Sequence, residues 1–95
     1  MVHTAYTNSS DGTILAYTGD DFTPTVLRPT GEYAAIFTWG YQGSGPLETA
    51  KAVLVHHYKV NDLPAPDHAE IRTYQDATIS RLGNGFHLQL HPERG

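Results

Sequence analysis

The periodicity of this sequence changes once, at a glycine cluster. Up to Trp39 the chain is a series of short runs rich in Thr, Tyr, Val, Ile and Phe, separated by turn residues at Asn8–Gly12, Gly19–Asp21 and Arg28–Gly31. Beyond Gly40-Tyr41-Gln42-Gly43-Ser44-Gly45-Pro46, Leu47, Ala50, Leu54 and Tyr58 recur at helical spacing. Strand-type runs followed by helix-type runs point to an α+β fold in which the two kinds of element are segregated.

Within the first part, Asp11-Gly12 between Thr4–Thr7 and Thr13–Tyr17 is a hairpin signal, because glycine meets the positive φ that tight hairpin turns require. Pro24 removes a ladder donor from the Phe22–Leu27 run and demotes it to an edge strand or loop. Tyr33–Trp39 is the strongest strand candidate, with Ala35, Phe37 and Trp39 on one face and Ala34, Ile36 and Thr38 on the other.

Pro46 suits the first helical position, Gly45 or Ser44 can cap, and Glu48 falls in a first turn where the macrodipole favours a carboxylate. Val53 and His57 widen the apolar stripe of this helix, and Asn61-Asp62-Leu63-Pro64-Ala65-Pro66 ends it. Asp67 with Glu70 starts a second helix that carries Ile71, Tyr74, Ile79 and Leu82 and stops at Gly83-Asn84-Gly85. Phe86, Leu88 and Leu90 then alternate with His87, Gln89 and His91, as in a half-buried strand.

The expected fold is therefore a single domain over residues 1–95. It has a small antiparallel sheet of about four strands, a C-terminal two-helix hairpin packed on one face, and a final returning strand. Trp39, Phe37, Leu47, Leu54, Ile71, Tyr74, Ile79 and Leu88 are the expected core.

Ten carboxylates against six Lys and Arg give a net charge of -4. No stretch clusters the basic residues that a phosphate backbone needs, which argues against nucleic-acid binding. The absence of cysteine removes disulfides, thiolate metal sites and cysteine nucleophiles together. Apolar runs are too short for a membrane span, and Met1-Val2-His3-Thr4 has neither a basic n-region nor an apolar h-region, so the expected location is the cytoplasm.

The strand-to-helix turn at Gly43, Ser44 and Gly45 is the candidate anion or nucleotide site, since helix N-terminal amides and the dipole favour negative charge. It lacks the Lys-Ser/Thr pair of a phosphate loop, and Pro46 removes one amide, so the glycines suit a tight strand-to-helix turn better than a ligand site. Ser44 fails the G-x-S-x-G pattern, with Gln42 and Pro46 where glycines belong. The six histidines invite a metal, yet His56 and His57 diverge by about 100° on a helix, and His87 and His91 lie roughly 13 Å apart along a strand. No catalytic set, metal site or cofactor is assigned. An enzyme would become the favoured reading if His57 and a carboxylate converged in a pocket.

Phe37-Thr38-Trp39-Gly40-Tyr41-Gln42-Gly43-Ser44-Gly45-Pro46, followed by two helices and a closing strand, resembles a bacterial and phage family of domains of unknown function with the signature F-x-W-G-Y-x-G-S-G-P, often encoded on mobile elements. The resemblance spans roughly Tyr33 to Leu90, with Gln42 where a third glycine is common. It implies a small accessory protein that acts by binding a host or element-encoded protein. Independently of it, Tyr41 and Gln42, at the strand end beside the glycine loop, are the candidate interaction surface. An exposed edge at Phe22–Leu27 leaves room for a homodimer.

Overall fold

The computed structural model describes residues 2–91. Four antiparallel strands, β1 (Thr4–Asn8), β2 (Ile14–Thr18), β3 (Thr25–Leu27) and β4 (His87–Leu90), form one sheet in the order β3-β2-β1-β4. Two helices, α1 (Ser44–Val60) and α2 (His68–Ala77), complete an α+β fold, and a short 3-10 turn at Ile79–Arg81 follows α2.

The β1–β2 hairpin closes as its sequence requires. Gly12 takes a φ of 87°, Ser9 N–H donates to the Thr13 carbonyl at 2.9 Å, and Asp11 accepts from both the Thr13 amide and its hydroxyl. On the inner face of the sheet the fully buried Tyr6 sits between Ala16 of β2 and Leu88 of β4. The small Ala16 makes room for the large ring. Ala50, Val53, Leu54, Ile71 and Ile79 from the helical part complete this core. Phe37, Leu47 and Leu88 are buried as expected, whereas Trp39 and Tyr74 are only half-buried against it.

Three sequence expectations are corrected. Tyr33–Trp39 is not a strand: it crosses from the sheet to α1 as irregular backbone, and the fourth strand of the sheet is β3, from the Phe22–Leu27 run. Glu48 is the physical reason. It lies beyond the first turn of α1, faces inward and is 1% exposed, with its carboxylate accepting from the amides of Thr30 (2.8 Å), Tyr33 (2.9 Å) and Ala34 (3.3 Å) and from the Thr30 hydroxyl (3.0 Å). Amides bound to a carboxylate are not available to a β ladder. Burial alone would push the Glu48 carboxyl up, but the Tyr33 and Thr30 amides, the Thr30 hydroxyl and the Ala34 amide together hold it below its ordinary value.

The second correction concerns the start of α1, where Gly43 occupies the cap position without a side-chain hydrogen bond, so Pro46 is the third helical residue rather than the first. The third is the end of α2. The capping box between Asp67 and Glu70 is present, but the helix stops a turn early, at Ala77. The turn that follows buries Ile79 completely and turns its carbonyl to the Gly40 amide, 3.0 Å away.

Asn61 fixes the other end of α1. Its side-chain amide donates to the His57 and Val2 carbonyls, both at 3.0 Å, and its oxygen accepts from Val2 N–H at 2.6 Å, which joins the helix C-terminus to the lead-in of β1.

Glu48→Ala is expected to lower unfolding stability by about 2 kcal/mol or more in urea titrations, because several part-buried donors lose a charged acceptor at once. Retention of wild-type stability would contradict this role.

Candidate functional site

The segment that fails to become a strand forms, with the glycine cluster, an anchored surface loop. Thr49 hydroxyl donates to the Thr38 carbonyl at 2.7 Å, Trp39 Nε1 donates to the Gly83 carbonyl at 2.9 Å, and the Trp39 ring meets Phe86 edge-on with centroids 4.8 Å apart. Gln75 Nε2 on α2 donates to the Gly43 carbonyl at 2.8 Å. The loop is thus held by α1, by α2 and by the approach to β4.

Two of its glycines are required by packing. Gly40 has a φ of 87°, and a Cβ there would stand 2.8 Å from the Leu82 carbonyl oxygen. A methyl group on Gly45 would overlap the Thr38 hydroxyl, which also pairs with the Tyr41 hydroxyl at 2.9 Å. Both positions are explained without a ligand.

The expected anion site divides accordingly. Gly43 and Ser44 are exposed and Gly45 is buried. Pro46 has no N–H, and the Leu47 amide donates to the Gly43 carbonyl at 3.1 Å, so Ser44 and Gly45 supply the remaining amides of this first turn. Tyr41 and Gln42, the expected interaction surface, are exposed, Tyr41 by 52%, and Ile36 on the same loop is 63% exposed. Ile36 was legible only as a strand residue, and its exposure follows from the loss of that strand.

The adjacent histidines of α1 are structural. His57 Nδ1 lies 2.7 Å from the Thr4 hydroxyl and His56 Nδ1 lies 2.8 Å from the Tyr6 hydroxyl, so neighbouring helix residues meet alternate residues of β1. Burial suppresses ionisation of the Tyr6 phenol, against a smaller opposite effect of the Thr4 hydrogen bond. Burial also holds His56 below its ordinary pKa, helped by the charges of His57 and Lys59. His68 takes a different partner, the Tyr33 hydroxyl at 2.9 Å. Among the described residues, no group of three or more His, Cys, Asp or Glu side chains is arranged to hold a metal ion.

A groove of about 550 Å³ runs between α1, α2 and the end of β4, lined by His57, Asp67 and Glu70 among others. His57 and two carboxylates thus border one groove, and each has a structural partner. Glu70 accepts from the Tyr58 hydroxyl at 2.8 Å and from the Asp67 amide at 3.2 Å, while Asp67 accepts from the Glu70 amide at 2.8 Å. Tyr74 also lines the groove. Its hydroxyl is buried without a hydrogen-bond partner among the described residues, and burial, with Tyr6 nearby, makes the phenol harder to ionise.

Sheet, helices and anchored loop define a small α+β domain class with no chemistry implied by the fold itself. The chain matches a family of unknown function, DUF6166, over residues 7–92, and it belongs to that family. No curated protein and no solved structure matches it. No helix among the described residues is long and apolar enough to cross a membrane.

The burial of His56, with the charges of His57 and Lys59 beside it, predicts acid sensitivity. A histidine whose folded pKa is depressed contributes stability that is complete above its unfolded value, near 6.5, and declines as pH falls toward the folded value. Urea midpoints measured from pH 7.5 to 5 should fall below about pH 6.5, with a shallower slope in His56→Gln. Tyr6→Phe should cost about 1–2 kcal/mol by stranding the buried His56 nitrogen.

Proposed function

We propose that the protein is a non-enzymatic protein-binding module whose contact surface is the loop from Ile36 to Gln42. The observation that carries this reading is the pairing of exposure with anchoring. Ile36 and Tyr41 hold large apolar surfaces in solvent, 63% and 52% exposed, on a backbone fixed through Thr38, Trp39, Gly40 and Gly43. A loop ordered beforehand loses little conformational entropy on binding, and tyrosine is favoured where interfaces concentrate their energy.

The resemblance to the F-x-W-G-Y-x-G-S-G-P signature supports a setting for this module, as an accessory protein of phages or mobile elements acting on a host or element-encoded protein. The cytoplasm is the location consistent with that role.

The test is comparative capture from host lysate with nuclease present, using wild-type protein and an Ile36→Ser/Tyr41→Ala double variant. A protein held stoichiometrically by wild type should bind the variant about 30-fold more weakly, while the melting temperature is nearly unchanged. An identical set of partners at identical yield from both proteins would refute the assignment.

A further inference from the structure

Of the chain's six Lys and Arg residues, Arg28, Lys51 and Lys59 line one cleft. It has a volume of about 290 Å³ and lies between β3 and α1, away from the Ile36–Gln42 loop. The net charge of -4 conceals this gathering, because Arg28 arrives from the end of a strand and the lysines from a helix. Lys51, Val55 and Lys59 stand on successive turns of α1 and so share one side of it, the side that faces β3.

The three cations are not equivalent. Lys51 is pinned by an ion pair to Glu32 at 2.6 Å and by the Thr30 hydroxyl at 2.8 Å, with the Tyr33 ring centroid 5.9 Å away. Its charge is largely answered. Arg28 and Lys59 are exposed, and among the described residues neither side chain has a hydrogen bond or an ion pair, although Asp11 is near enough to feel the Arg28 guanidinium. Glu48 also borders the cleft, but its negative charge is satisfied by the Thr30, Tyr33 and Ala34 donors. Val26, Leu27, Ala52 and Val55 give the cleft apolar wall, beside the polar Thr25, Thr30 and His56.

We propose that this cleft binds a small amphiphilic anion, with a carboxylate, sulfonate or phosphate head paired with Arg28 or Lys59 and an apolar body laid against Val26, Leu27, Ala52 and Val55. Charge at the rim and apolar surface within are the features that orient such a ligand. The volume accommodates a body on the order of ten to fifteen non-hydrogen atoms. This site is separate from the glycine turn and from the protein-binding loop, so either can fail without the other.

Naphthalene-1-sulfonate is a suitable probe, with naphthalene-1-methanol as its neutral counterpart, titrated into labelled protein and followed by amide NMR shifts. Saturable shifts at Val26, Leu27 and Arg28 and along Ala52 to Lys59 are expected, with the alcohol binding at least tenfold more weakly. An Arg28→Glu/Lys59→Glu variant should lose at least tenfold in sulfonate affinity at unchanged melting temperature, and Arg28→Lys/Lys59→Arg should retain it. The proposal is overturned by the absence of saturable shifts, by equal binding of sulfonate and alcohol, by equal affinity in the charge-reversed variant, or by shifts confined to Gly43, Ser44 and Gly45.

Discussion

A single buried carboxylate organises the part of this molecule that differs from an ordinary hairpin-and-helices fold. Glu48 is enclosed between α1 and the crossing segment, and it gathers the amides of Thr30, Tyr33 and Ala34 at 2.8, 2.9 and 3.3 Å. An unpaired charge in that position would be strongly destabilising, so the segment must wrap it. Once those amides are committed, the chain cannot run as a strand. It delivers Thr38 to α1 and Trp39 to Phe86 and the Gly83 carbonyl, and leaves Ile36 and Tyr41 in solvent. Fold and candidate surface thus have one origin.

A second set of polar contacts ties the helical layer to the sheet. His56 and His57 reach Tyr6 and Thr4, and Asn61 reaches both ends of Val2. Apolar packing supplies the bulk of the driving force, whereas these bonds set the rotation and position of α1 over β1. In a chain without cysteine, such buried polar pairs are the available means of fixing that geometry.

Much of the architecture was legible because it rests on local chemistry. The Asp11-Gly12 turn, the edge position of the Pro24 run, the Asp67–Glu70 capping box and the alternation in Phe86–Leu90 each act over a few residues, and each is found in the structure. Tyr33–Trp39 misled because its composition suits a strand and the competing interaction comes from Glu48, which the sequence presents as a first-turn carboxylate facing the helix dipole. Nothing within the segment signals a carboxylate 15 residues away from Tyr33. The glycines of the turn were legible as a hinge, while the reason for Gly45 lies in the Thr38 hydroxyl and could be seen only in three dimensions. The gathering of Arg28, Lys51 and Lys59 was invisible for the same reason.

The most direct test of this account is the titration of the Glu48 carboxyl itself, followed by carbon-detected NMR with the amide shifts of Thr30, Tyr33 and Ala34 recorded in the same samples. The account predicts a midpoint below 4.5, the ordinary glutamate value, with all three amides shifting at that same midpoint. A midpoint at or above 4.5, or amides indifferent to it, would mean that Glu48 does not hold the crossing segment in place.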